Sequence, residues 1–209
     1  MPAVNHEPAG RRPTLRDERA AVTRRRIVDA ARRRFFADGY AATTLQAVAG
    51  EAGVAVQTIY AVFGSKAAIL AELRSLVVDL PEADDEARAA MSEPTPELRL
   101  TRFAHSIRNR WELAGDIVRV HQDAVRVDPS LLPGIAEAEG RRHGGIASFV
   151  GAIASDLGAP IDVERSIGVV NALTLYEVYE ELVGVQGWSP DAYESWLAES
   201  LVEGVLGRA

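Results

Sequence analysis

Apolar residues recur along this chain three and four positions apart, and no stretch alternates in the way a half-buried strand would. The first such stretch runs from about Ala20 to Asp38, with Ile27, Ala31 and Phe35 spaced by four and Val28 and Phe36 beside them. Gly39 ends it, as a residue that tolerates positive φ past a helix end. Thr44 is placed to cap a second helix, Leu45 to Ala52, which Gly53 breaks. A third covers Val56 to Phe63. Gly64 and Ser65 end it, and Ser65 can cap a fourth from Lys66 to about Leu80, stopped by Pro81. Residues 81 to 96, acidic and holding Pro81, Pro94 and Pro96, read as a loop with room for a short helix. Helical patterns then occupy about 96–113, 116–127, 131–157, 162–184 and 190–206. The breaks fall at Gly115, Asp128-Pro129, Gly158 to Pro160 and Gly187 to Pro190. The expected fold is all-α with about nine helices. It divides into a disordered arm over 1–19, a helix-turn-helix domain over 20–66, and a larger helical domain over 67–209.

Composition narrows the class. The 209 residues are 47% apolar and 25% charged, as in an ordinary globular chain. No Cys is present, which removes disulfides and thiolate metal sites. The most apolar run, Ile167 to Tyr176, is interrupted by Gly168, Asn171 and Thr174 and is too short to span a bilayer. The N-terminal arginines are not followed by the apolar segment of a secretory signal, so the expected location is the cytoplasm, away from membranes. The net charge of −7 speaks against a nucleic-acid partner until it is divided: residues 1–75 carry +5 and residues 76–209 carry −12. A basic end on an acidic body suits an end that meets an anion.

The segment from Leu45 to Val62 has the spacing of a helix-turn-helix. Val48, Val54, Ile59 and Val62 are apolar where two short helices cross. Ala49 is small where the second helix passes closest, and Gly53 stands at the turn. The same spacing also suits a plain αα-hairpin in a bundle.

The flanks separate the two. The segment Ile27-Val28-Asp29-Ala30-Ala31, then Phe35-Phe36-Ala37-Asp38-Gly39-Tyr40, precedes the pair. Thr58-Ile59-Tyr60, then Phe63-Gly64-Ser65-Lys66 and Ile69-Leu70, closes it. In order and in every gap, residues 20–75 resemble the TetR family of bacterial regulators. Residues 76–209 are similar to the family only in length and helical character. The resemblance implies a homodimer of two-domain, all-helical subunits that binds double-stranded operator DNA through the small domain. The large domain would dimerise and hold a small-molecule effector whose binding releases DNA, so the implied role is a ligand-relieved repressor on a palindromic operator.

With Ile59, Val62 and Phe63 turned inward, the third helix is expected to present Val56, Gln57, Tyr60 and Ala61 outward, with Thr58 at the edge. Gln57 can pair with adenine through two hydrogen bonds, and Val56 and Ala61 can meet a thymine methyl. Thr58 can reach a base or a phosphate. The resemblance implies that Tyr60, Thr44 and Lys66 contact phosphate; Tyr60 can equally pack between helices, and Thr44 can be a cap alone. Ala55 departs from the Ser or Thr that many members carry there, and the outward face has no positive charge. Arg11, Arg12, Arg16, Arg19 and Arg24 to Arg26 can supply phosphate or minor-groove contacts, or form a solvated arm.

The pattern over 162–184 is apolar on nearly all sides, which requires burial on two faces. That stretch and 190–206 are expected to form the dimer interface, as in the resembled family. Polar and aromatic groups within apolar stretches mark candidate effector contacts: Trp111, His121, Phe149, Asn171, Thr174 and Tyr176, with His105, Glu177 and Tyr179 behind them. Each can equally be core or interface. The four His residues show no metal-ligand pairing, and no nucleophile or Gly-rich phosphate loop is recognisable, so neither catalytic residue nor metal nor cofactor is expected. The rival readings are a DNA-binding protein without an effector, a helical interaction module, and a helical enzyme.

Overall fold

The computed structural model describes residues 14–78, 81–157 and 161–207. Among them are ten α-helices and no strand: α1 (Leu15–Asp38), α2 (Leu45–Ala52), α3 (Val56–Phe63), α4 (Lys66–Val78), α5 (Pro81–Met91), α6 (Pro96–Val125), α7 (Leu132–Asp156), α8 (Val163–Leu173), α9 (Tyr176–Tyr179) and α10 (Pro190–Leu206). A 3₁₀ turn (Pro129–Leu131) leads into α7, and a π-helical turn (Glu180–Val185) follows α9.

The helices gather around two apolar cores. In the first, Ile27, Ala31 and Phe35 of α1 meet Val48 and Ala49 of α2, Ile59 of α3, and Ile69, Leu70 and Leu73 of α4. Ala114, Ile117, Val120 and Ala124 of α6 close it from the other side. The second joins the early part of α6 (Leu100, Phe103, Ile107, Trp111) to Ile146, Phe149, Val150 and Ile153 of α7. Val170 of α8, Tyr176 and Tyr179 of α9, and Tyr193, Leu197 and Leu201 of α10 complete it. Full burial of a side chain the size of Leu or Ile stabilises by roughly 1.5–3 kcal/mol, so these two sets hold the fold. Helix α6, 30 residues and so about 45 Å long, is the beam common to both.

Four expectations need correction. Helix α1 begins at Leu15, not Ala20, because Thr14 and Asp17 form a reciprocal capping box that satisfies the first amides. Residues 15–19 of the expected arm are therefore helical; residues 1–13, with Arg11 and Arg12, lie outside the described residues. Pro81 does not open a loop. It is the first residue of α5, a position where its missing N–H costs nothing.

Gly115 does not divide two helices. It lies inside α6 because the Tyr176 ring packs against it: a Cβ there would stand 2.3 Å from a ring carbon. The stretch 162–184 is not one helix, since α8 ends at Leu173 and Leu175 is extended (φ −66°, ψ 146°). The Thr174 hydroxyl donates to the Val170 carbonyl at 2.7 Å, and Arg142 donates to the Asn171 carbonyl at 2.7 Å and to the Thr174 hydroxyl at 2.8 Å. The Arg142 bond takes up the Asn171 carbonyl, whose next-turn amide, that of Leu175, turns to Ala172 instead; the Val170 carbonyl also accepts from the Thr174 amide at 3.1 Å.

Candidate functional site

The turn between α2 and α3 is set by one residue. Gly53 is left-handed (φ 64°, ψ 41°), which lets the Val54 amide return to the Ala49 carbonyl at 3.0 Å. Val48, Ala49 and Ile59 are buried at the crossing. Ile59 fixes the roll of α3, so that Gln57, Tyr60 and Ala61 are exposed and Val56 and Thr58 half-buried. Tyr60 stands out, with 56% of its surface open. No side chain caps α3 at Ala55. The outward face of α3 thus offers hydrogen-bonding and methyl groups and no charge.

Thr44 caps α2 by accepting from the Ala47 amide at 3.1 Å and remains exposed. Lys66 is differently placed from a free surface cation. Its ammonium donates to the carbonyls of Tyr40 at 2.7 Å and Thr43 at 3.0 Å, and lies 4.3 Å from the centre of the Tyr40 ring. Burial pulls its pKa below the usual lysine value. Lys66 therefore ties the start of α4 to the loop that delivers Thr44. Tyr40 in turn donates its hydroxyl to Asp128 at 3.1 Å, and burial pushes the phenol up to about 12. The loop between α1 and α2 is anchored to the turn after α6 through this bond.

The arginines of α1 divide sharply. Arg24 pairs with Glu72 and lies over the Phe63 ring, and Arg33 and Arg34 both reach Glu51. Arg32 grips Asp116 of α6 with two nitrogens, at 2.8 and 2.6 Å, and the Leu113 carbonyl at 2.7 Å. Hydrogen bonds to these carboxylates raise the pKa of Arg24, Arg32 and Arg34. Arg16, Arg19, Arg25 and Arg26 are exposed, and Arg26 rests against the α2–α3 turn, 2.6 Å from where a Cβ on Gly53 would be.

In the C-terminal region the candidates fall into separate groups. Trp111 and Tyr176 meet edge to face, with ring centres 5.5 Å apart. Phe149 stacks on Phe103 at 4.4 Å instead. Asn171 and Thr174 come together around Arg142, whose Nη1 donates to Asn171 Oδ1 at 3.1 Å. His121 is buried, and burial followed by the nearby Arg74 pulls it down to about 4, so the ring is neutral. Its Nδ1 and the Trp111 Nε1 have no partner among the described residues. His105 lies 3.0 Å from Glu194 and pairs with Asn109, away from that group. Sequence reasoning missed Arg142 and Arg74. The signal was present: Arg142 continues the buried Ile146, Phe149, Val150 and Ile153 stripe one turn earlier, and Arg74 follows Leu70 by four.

Among the described residues no group of three His, Asp or Glu could hold a metal ion, and no helix is long and apolar enough to cross a membrane.

A glycine-turned helix pair with an outward-facing second helix, carried on a larger helical body, defines a helix-turn-helix protein. Residues 27–73, which span most of α1 through α4, match the model of the tetR family of bacterial regulatory proteins. That segment is similar to the family, and over most of the chain the fold is like that of solved tetR-family regulators. A transcriptional regulator of that family from Mesorhizobium loti superposes with a TM-score of 0.70 at 21% identity, over 88% of this chain and 95% of its own. A transcriptional regulator from Saccharomonospora viridis, solved with choline, gives 0.69 at 22% identity, over 88% and 98%. The fatty acid degradation regulator FadR from Bacillus halodurans gives 0.67 at 20%, over 87% and 95%. No curated protein matches the chain.

Proposed function

We propose that this protein is a ligand-relieved repressor: a homodimer that binds a palindromic operator and lets go when a small molecule enters the C-terminal domain. The observation that carries the DNA-binding part is the roll of α3. Ile59 is fully buried while Gln57, Tyr60 and Ala61 are exposed together on a matched tetR-family segment. Gln57 reads a base, Val56 and Ala61 meet thymine methyls, and Thr58, Tyr60 and Thr44 engage the backbone. Lys66 acts chiefly by holding the α1–α2 loop, because its ammonium already has carbonyl partners. Arg16, Arg19, Arg25 and Arg26 supply the charge that α3 lacks.

The dimer reading is supported by α8 and α10. They pack closely, with Gly204 against Val169, and leave a shallow cleft of about 450 Å³ lined by Arg165, Leu173, Ser200, Glu203, Gly204 and Gly207. Val163 at the start of α8 and Leu175 just past its end are exposed nearby. The effector reading draws on Trp111, His121, Phe149, Asn171, Thr174 and Tyr176, and on a structural neighbour that was solved with choline.

Selection of bound duplexes from random DNA tests the proposal. The expected result is a palindrome whose half-sites lie about one helical turn apart, or a multiple of it. Gln57→Ala should relax preference at one base step per half-site, whereas Lys66→Ala should weaken binding to all sequences alike. A single non-repeated site, or a monomer by light scattering at micromolar protein, would overturn the dimer.

A further inference from the structure

Helices α8 and α10 are nearly without positive charge. Between them they carry one basic residue, Arg165, against Glu164, Asp191, Glu194, Glu199 and Glu203. Two of those carboxylates are taken up inside the chain: Asp191 lies 3.1 Å from Arg108, and Glu194 lies 3.0 Å from His105. Glu164, Glu199, Glu203 and Arg165 are exposed, and none of the four has an ion-pair partner among the described residues.

Of these four, Arg165 and Glu203 line one cleft. It has a volume of about 450 Å³ and is bounded also by Leu173, Ser200, Gly204 and Gly207. Arg165, Val169 and Leu173 follow one another by four on α8, and so do Ser200 and Gly204 on α10, so each set lies along one helix face. The helices touch where Gly204 has no side chain: a Cβ there would stand 2.6 Å from a Val169 methyl. Ser200, Gly204 and Gly207 bring too little side chain to fill the space beside that contact. The end of α10 at Gly207 gives one reason for a nearby cation, since the last carbonyls of a helix favour positive charge. It leaves Glu203 unmet and the cleft open.

We propose that this cleft is filled by the same cleft of a second copy, and that Arg165 of each protomer pairs with the partner's Glu203. A two-fold axis brings residue i of one chain to residue j of the other and j to i, so a contact of this kind is made twice. A face with a single cation among carboxylates repels its own copy unless that cation meets an acid across the axis. Glu203 is the acid that shares the cleft with it. The pairing also selects the partner: a related chain with one sign of charge at both positions is refused. The inference rests on the homodimer reading above and adds to it the choice of partner.

The test uses the full chain without DNA, in sedimentation equilibrium. In Arg165→Glu these two positions carry only negative charge, and in Glu203→Arg only positive. Each variant alone should self-associate at least about tenfold more weakly than wild type, because two like-charge contacts replace two favourable ones. Far-UV circular dichroism should be unchanged, both sites being exposed. Mixed in equal amounts, the two variants should form a heterodimer of nearly wild-type strength, which native mass spectrometry recognises by its mass. Added salt should narrow the gap between wild type and either variant. A mixture no stronger than the variants alone would overturn the pairing, and recovery in the doubly substituted chain would then place the pair within one chain. Variants that dimerise as wild type does would also overturn it while leaving the homodimer standing. A monomeric wild type would remove both.

Discussion

The two cores of this molecule are finished differently. The first, under α1 to α4, is almost wholly apolar, and its buried hydroxyls are met: Thr43 is within bonding distance of the carbonyls of Gly39 and Arg34, and Tyr40 donates to Asp128. Charges lie around it in pairs: Arg24 with Glu72, Arg32 with Asp116, and Arg33 and Arg34 with Glu51. The second core holds most of the remaining aromatic rings, and two buried polar atoms there go unmet, Trp111 Nε1 and Tyr193 Oη; His121 Nδ1 is also unmet, on the later part of α6. An unsatisfied buried polar group costs about 1–3 kcal/mol. A region that carries two of them gives up stability that a fully paired core keeps. The comparison separates a core whose buried polar groups are met from one that leaves some of them unmet.

The largest effect that can sharpen this contrast is Ile59→Ala. With no collapse possible around a fully buried side chain, it should cost about 2–5 kcal/mol by urea denaturation and abolish operator binding. A cost under about 1 kcal/mol would mean the platform is as yielding as the other core.

The next effect is a pH dependence. His121 has its folded-state pKa lowered from 6.5 to about 4. The unfolded chain therefore takes up the proton first as pH falls. Stability from this group is complete above about pH 6.5 and is lost progressively as pH drops toward 4, by at most about 3 kcal/mol. His121→Gln should remove that component from the stability-against-pH curve between those limits; identical curves for the two proteins would place the imidazole in a solvated site.

Smaller is Arg32→Ala. The pair with Asp116 is bidentate but part-exposed, so its loss should cost about 1 kcal/mol, with a coupling of similar size in a cycle with Asp116→Ala. Smallest is Tyr193→Phe. Removing a hydroxyl that has no partner should leave stability unchanged or raise it by up to about 1 kcal/mol in thermal unfolding. A clear loss would show that the hydroxyl is satisfied.

The same division governs what could be seen in the sequence. Around the first core, structure is announced locally. Gly39, Gly53 and Gly64 each take positive φ where the pattern breaks, and Thr44 and Ser65 each accept from the amide three residues on. In the second region the deciding contacts are distant. Gly115 looks like a break and is a seat for the Tyr176 ring. Thr174 looks like a polar interruption and is a helix end fastened by Arg142 from another helix. Arg74 and Arg142 each continue a buried stripe by one turn, but their partners, the Gly134 carbonyl and the end of α8, lie 60 and about 30 residues away and are a tertiary matter. Lys66 was legible as important but not as to its partners, since three carbonyls 23 to 26 residues upstream are a tertiary matter.

The grip of Arg32 on Asp116 bears on how such proteins can be recombined. It joins α1 to α6 one residue from Gly115, so the first four helices are not an interchangeable head. A chimera that places residues 14–78 on another helical body keeps the Arg32 end of this contact and finds its partner again only if the new body offers a carboxylate where Asp116 stands and room for an aromatic ring beside it. Those two neighbouring positions are the joint that any such recombination has to keep.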